Sequence, residues 1–247
     1  MDSVEKNNPS SKIETLKNDL LGDCPYWVSF RKVFLFYILW YVRHFKAIVL
    51  SGLSILAVLF IGVIPFEKAF PQSPNPPIFS PEIAPYMEAV SESTEYAVHL
   101  CVIIALLVLS RVRKRPNLKI ASIAVLISLI FCTLFVRVPK IGFGRLRPIV
   151  AAHQEVGDQF IAFTFKHKYH SFPSGHTASA VTTTSNLIAL NPYLGIPFIL
   201  YSINVGAARI YFKQHYFSDT LAGASVGLLS ALPFFALNRH LRKKSLN

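Results

Sequence analysis

Residues 47–66 form an unbroken run of twenty residues without a single charge. At a rise of about 1.5 Å per residue, that length crosses a hydrocarbon core of about 30 Å. Because lipid offers nothing to backbone N–H and C=O groups, a segment like this must satisfy them internally, and a spanning helix does so. Further apolar stretches at residues 96–110, 120–136, 176–190, 193–208 and 220–237 predict five more spans, some of which need flanking residues to complete the crossing. The expected fold is therefore all-α: a polytopic membrane protein with six transmembrane helices. Residues 26–45 are aromatic-rich but broken by Arg31, Lys32 and Arg43, a pattern that predicts an N-terminal interfacial helix lying in the headgroup layer. Residues 1–25 predict a polar, solvated tail, and residues 26–247 a single membrane domain. The first apolar run has no small-residue cleavage site, which argues against a removed signal peptide.

Composition agrees: 52% of residues are hydrophobic and 15% charged, yet the net charge is +12. The positive residues collect between apolar runs and no compact nucleic-acid module is visible, so nucleic acid is not an expected partner. An even number of spans puts both termini on one side. Lys and Arg before the first span, Arg111, Arg113, Lys114, Arg115 and Lys119 in the second connection, and Arg239, Arg242, Lys243 and Lys244 at the end all fall on that side. The positive-inside rule makes it cytoplasmic. The other face carries a Pro-rich, acidic loop at 67–95, with an extended stretch expected at 71–85, and two segments at 137–175 and 209–219. Those two segments hold the remaining cations against the rule, so their charges are expected to bind anions. Cys24, Cys101 and Cys132 imply neither a disulfide nor a metal site.

Three clusters share that face. In the first, Lys140 and Arg147 flank Gly142 and Gly144, which allow tight turns; Lys140 is a point charge and Arg147 a two-pronged donor suited to phosphate oxygens. In the second, Pro173, Ser174, Gly175 and His176 open an apolar helical run, and a helix N-terminus presents free N–H groups to an anion. His176 would face that anion and carry a proton. In the third, Arg209 precedes His215 and Asp219, which stand four apart and share a face if the segment is helical. Asp219 can fix the His215 tautomer and leave the other ring nitrogen free to attack phosphorus. Arg209 supplies a further guanidinium for the equatorial oxygens. Taken singly, each cluster also has a plain structural explanation: a headgroup anchor, a capping serine beside an interfacial histidine, and a pair closing a helix end.

Together they read Lys, six residues, Arg-Pro; then Pro-Ser-Gly-His; then Arg, five residues, His, three residues, Asp. This order resembles the type 2 phosphatidic acid phosphatase family, which includes lipid A phosphatases, undecaprenyl diphosphate phosphatases and the soluble vanadium haloperoxidases. The resemblance implies a membrane lipid phosphatase with His215 as nucleophile, Asp219 as its orienting partner and His176 as the acid that later serves as base. It further implies that Lys140, Arg147, Ser174, Gly175 and Arg209 hold phosphate. With those cations present and no histidine–carboxylate cluster at ligand spacing, no cofactor or metal is expected, and the charge asymmetry puts the site on the outer, periplasmic side of what is expected to be a bacterial inner membrane. One departure is that Ala208 stands where the family often has Ser before the third-motif Arg. Gly-Arg-Leu-Arg-Pro and the long aromatic loop are similar to lipid A phosphatases. Undecaprenyl diphosphate, phosphatidylglycerol phosphate and phosphatidic acid stay open as substrates. So do two other activities: a lipid-to-lipid phosphotransferase with the same nucleophile, and a non-catalytic transporter or scaffold that only holds anionic headgroups. His153, His167 and His170 have no metal-type spacing and are expected to be solvated or headgroup-facing. His99 is expected to be a satisfied interior histidine. Phe160, Phe163 and Phe165 are expected to pack on the protein or dip into lipid.

Overall fold

The computed structural model describes residues 30–69, 80–94 and 97–244. The tail expected at 1–25 and residues 71–79 of the extended stretch lie outside them. The described residues form nine helices: α1 (Phe30–Arg43), α2 (Phe45–Lys68), α3 (Ala84–Ser93), α4 (Ala97–Val112), α5 (Pro116–Phe143), α6 (Pro148–His153), α7 (Gly175–Leu190), α8 (Pro192–Tyr211) and α9 (Phe217–Lys244). The fold class is all-α. Val58–Val63, in the middle of α2, is wound as a π-helix.

Four helices, α2, α5, α8 and the Phe217–Arg239 part of α9, are long and apolar enough to cross a membrane; α3 and α4, bent by 55° at their junction, make a fifth if they count as one span. The sixth expected span forms the helix α7, but its 16 residues reach only about 24 Å. Its sequence explains why it departs from the lipid pattern. Thr177, Thr182, Thr183, Thr184, Ser185 and Asn186 are buried, because α7 is enclosed by α5, α8 and α9. Their polar groups are satisfied within that shell: Thr184 Oγ1 donates to Phe198 O at 3.0 Å and Asn186 Nδ2 to Thr182 O at 2.8 Å. The apolar surface is turned outward instead, with Leu50 and Ile61 on α2, Ile104 on α4, Leu134 and Val138 on α5 and Leu200 and Ile203 on α8 all exposed. A bilayer-facing exterior around a polar-lined interior is the arrangement that hydrocarbon selects.

Two glycines set the tightest seam. A Cβ on Gly227 would lie 2.5 Å from Ala178 O, and one on Gly223 would overlap Ser174 O and sit 3.2 Å from its carbonyl carbon. Small residues here let α9 close onto α7 backbone to backbone. On the other side of α9, α1 packs Val33, Phe36 and Tyr37 inward, and Tyr37 Oη shares a 2.9 Å hydrogen bond with Ser128 Oγ. The acidic connection at 67–95 is not wholly a loop: Pro81–Ile83 is a 3-10 turn leading into α3, started by Ser80 Oγ accepting from Glu82 N.

Candidate active site

The first cluster is partly helical rather than a loop. Lys140 sits in the last turn of α5, with Gly142 still inside the helix, and only Gly144 makes the turn. Gly144 has φ +49 and its N–H reaches back to Lys140 O at 3.3 Å, closing the helix in the left-handed region. A side chain there would run into Ile161 O and come within 2.5 Å of Thr164 Cγ2. The chain then runs extended, with Leu146 N bonded to Gln159 O at 2.8 Å and Arg147 N to Lys168 O at 2.9 Å, and Pro148 opens α6. This lays Arg147 across the mouth of the bundle. Its Nη1 donates to Gln214 Oε1 at 2.6 Å, its Nε to His167 O at 3.4 Å, and Nη2 lies 3.3 Å from His167 Nε2. Lys140 Nζ donates to His170 O at 2.7 Å.

Ser174 is the N-cap of α7. Its Oγ accepts a long bond from Thr177 N and pairs with Thr177 Oγ1 at 3.0 Å, and its N–H donates to Asp219 O at 2.9 Å. That last bond ties the start of α7 to the start of α9. His215 lies in the turn before α9, so it and Asp219 are not on one helix face as the spacing allowed. They meet because Asp219, in the first turn of α9, points back: Oδ2 lies 3.6 Å from His215 Nδ1, close enough to stabilise a positive ring but too far for a formed hydrogen bond. Oδ2 also accepts from Ser171 Oγ at 2.5 Å and Tyr216 N at 2.9 Å, and Oδ1 accepts from Arg145 Nη1 at 2.7 Å.

Lys140, Arg147, Gly175, His176 and His215 all line one open cavity of about 400 Å³, whose wall also includes Thr94, Arg137, His167 and Ser179 and, on α5, Cys132, Thr133 and Val136. Burial, helped by Lys140 and Arg147, pulls His215 down to about 4 against the opposing pull of Asp219, so its imidazole is neutral near pH 7. Burial also draws the Arg147 guanidinium below its ordinary value, partly offset by Asp219. Arg147, foremost, lowers His167 as well. A cavity walled by cations and neutral imidazoles beside a buried carboxylate is suited to a multiply charged anion.

Three of the eight expected residues do not reach the cavity wall. Asp219 and Ser174 are fully buried behind it, and Arg209 Nη1 donates to Ser91 Oγ on α3 at 2.7 Å, although Arg209 stays within Coulombic reach of Lys140 and His176. His170 was expected to be solvated or headgroup-facing but is buried, its Nε2 3.1 Å from Thr164 O and its carbonyl held by Lys140. His167, also expected to be solvated or headgroup-facing, lines the cavity beside Arg147, while His153 is exposed as expected. His99 is buried with Nδ1 2.9 Å from Thr183 Oγ1. Phe160 packs against Phe60 at 5.5 Å between centroids, and Phe163 and Phe165 stand out at 82% and 80% exposure.

Sequence reading overlooked Arg145. It is 0% exposed and holds three carboxylates, those of Asp219, Asp158 and Glu67. The signal for it was a second Arg two residues before Arg147; nothing in the sequence says which of the two turns inward. Truncating one member of a buried ion cluster typically costs about 3–5 kcal/mol.

The comparisons with known proteins fall on this same region. Residues 118–243, just over half the chain, match the PAP2 superfamily. A lipid A 1-phosphatase of Rhizobium johnstonii is 31% identical over 111 residues, 43% of this chain and 45% of that protein. Undecaprenyl-diphosphatase BcrC of Bacillus subtilis is 31% identical over 72 residues, 29% of this chain and 37% of that protein. The matched part thus spans less than half the length of these curated relatives. The crystal structure of LpxE from Aquifex aeolicus has a similar fold, with a TM-score of 0.50 at 21% identity, covering 64% of this chain and 88% of that one. Since the matched span runs from α5 to α9 and contains all three motifs, the chain belongs to the PAP2 superfamily.

Proposed function

We propose that the protein is an integral membrane phosphatase that hydrolyses a phosphate monoester or diphosphate of a membrane lipid through a phosphohistidine on His215. The observation that carries this reading is the convergence of Lys140, Arg147, His176 and a neutral, buried His215 on one cavity at the end of lipid-facing helices. The phosphate sits among Lys140, Arg147 and the Gly175 N–H, with Ser174 shaping the α7 N-terminus and Arg209 adding charge from behind. The free ring nitrogen of His215 attacks phosphorus as the bond to the lipid oxygen breaks, and His176, which becomes protonated when the negative charge of the phosphate enters the cavity, gives that oxygen its proton. Asp219 balances the charge that develops on the His215 ring. Water then attacks the phosphohistidine while His176 takes its proton, the P–N bond breaks, and phosphate leaves with both histidines restored. Spreading negative charge over fixed cations is the main work required in phosphoryl transfer.

The proposed setting is six crossings, with α7 as an interior span and the α3–α4 pair as another, α1 in the headgroup layer, cytoplasmic termini and an outward-facing site on a bacterial inner membrane. A lipid A phosphate is the favoured substrate. Gly-Arg-Leu-Arg-Pro and the similarity to a lipid A 1-phosphatase support it, while the similarity to an undecaprenyl-diphosphatase keeps that lipid in the test. Purified protein assayed for phosphate release from lipid A, undecaprenyl diphosphate, phosphatidylglycerol phosphate and phosphatidic acid decides among them. Release from none of the four, with correctly inserted protein, refutes the phosphatase reading; phosphate recovered on a second lipid makes it a transferase.

A further inference from the structure

Arg145 lies next to the catalytic machinery without touching the cavity. Its guanidinium has five N–H donors, and the structure accounts for all of them. Nε and Nη2 grip Asp158 at 2.9 and 2.7 Å, Nη2 also reaches Glu67 Oε2 at 3.3 Å, and Nη1 serves Asp219 Oδ1 at 2.7 Å and Ser218 Oγ at 2.6 Å. The Tyr216 ring covers one face, its centroid 3.8 Å from Cζ. No donor is left for a phosphate oxygen. Holding one Asp219 oxygen, Arg145 leaves the other to face His215. Glu67, near the end of α2, joins the same knot: Oε1 accepts from Phe217 N at 2.7 Å and Oε2 from Ser218 Oγ at 2.5 Å, capping the start of α9. Glu67 lies outside the family-matched residues.

We propose that Arg145 is a positioning residue that aims Asp219 at His215 and, through Glu67, makes the nucleophile's alignment depend on where the first spanning helix sits. The inference rests on His215 being the nucleophile. Its physical basis is that a guanidinium fork fixes a carboxylate in two dimensions, whereas a lysine in the same place supplies charge without the fork. The charged groups facing His215 are Asp219, Lys140 and Arg147, with the titratable ring of His176 beside them, and Arg145 reaches it only through Asp219.

The experiment uses the full chain purified in detergent, with Arg145→Lys, Arg145→Met and Glu67→Gln measured for kcat, KM and the pH dependence of kcat/KM on one lipid substrate, alongside thermal unfolding. Arg145→Lys should lower kcat by about 10²-fold, the usual penalty for misplacing a reacting group by about 1 Å, with KM near wild type and the acid limb unmoved. Arg145→Met should move the acid limb to higher pH, since an Asp219 that no longer shares its charge holds a proton on His215 more firmly. Glu67→Gln removes a negative charge from the same knot and should move the limb the other way, with a smaller loss of kcat. Because all three act on one substrate, the titration of the phosphate itself cancels. Raised KM with unchanged kcat would instead make Arg145 a phosphate ligand, and losses that follow the unfolded fraction with the limb fixed would make its role purely structural; either overturns the proposal. If Arg145→Met does not fold, the Lys and Gln variants decide. Failure of the underlying reading looks different: His215→Ala would then retain turnover, whereas Arg145→Lys should still form the phosphohistidine, only slowly.

Discussion

Substituting Gly223 by Ala tests whether the α7–α9 seam positions the site. The added methyl would overlap Ser174 O and lie 3.2 Å from its carbonyl carbon, and the parallel position Gly227 would place it 2.5 Å from Ala178 O. Ordinary contacts lie near 3.5–4.0 Å, so the two helices must part by about 1 Å. At Gly223 that movement falls on the backbone bond from Ser174 N to Asp219 O, the link that holds His176 and Gly175 opposite His215. Overpacking of this kind costs about 1–3 kcal/mol of stability, and a 1 Å displacement of reacting groups costs about 10²-fold in rate. Purified Gly223→Ala should therefore lose about 10²-fold in kcat while unfolding only modestly below wild type. Gly52→Ala, where nothing lies within 4 Å, should leave activity unchanged. A Gly223→Ala protein with wild-type kcat would show that the seam does not set the distance between the histidines.

Three further outcomes follow from the site. Because burial pulls His215 from 6.5 to about 4, the unfolded chain binds more protons between those values, so this contribution to stability is complete above pH 6.5 and is lost as pH falls toward 4; the acid limb of kcat/KM should likewise lie below pH 6.5, and a limb at or above 6.5 would contradict a neutral buried nucleophile. The proposed topology predicts that a cysteine at the exposed position Phe163 is modified by an impermeant reagent in intact cells and one at Arg113 only after lysis, the reverse pattern refuting it; buried His170 is the wrong reporter. With Lys140, Arg147 and Arg209 supplying positive charge, activity should survive EDTA, and full loss restored by one divalent cation would show that a metal is needed.

How much was legible in the sequence depended on whether a residue's task is written in local spacing. Lys140, Arg147, Gly175, His176 and His215 stand at motif distances, and the fold gathers all five on one cavity. Ser174 and Asp219 lie buried behind the wall, which spacing alone does not reveal. Long uncharged runs marked α2, α5 and α8 well, since lipid contact forces a uniform composition. The α7 segment was expected to cross like the others, yet it is short and rich in Thr and Ser because other helices, not lipid, surround it. Arg145 was overlooked and His170 misplaced for a shared reason: their partners, Glu67, Asp158 and Asp219 for one and Thr164 and Lys140 for the other, come together only when separate segments fold onto each other.

The central claim is that phosphate passes through a covalent bond to His215. Its most direct test is to quench turnover of a phosphorus-labelled lipid substrate and look for an acid-labile, base-stable label on the protein, comparing wild type with His176→Ala and His215→Ala. Removing a general acid-base group typically costs about 10² to 10⁴ in rate; in the proposed mechanism His176 also activates the water of the second step, so its variant should accumulate the label, most readily from a phosphoaryl substrate whose leaving oxygen needs no proton. The His215→Ala variant should carry no label and turn over no substrate of any leaving group. Label or near-normal turnover in correctly inserted His215→Ala protein would contradict the account.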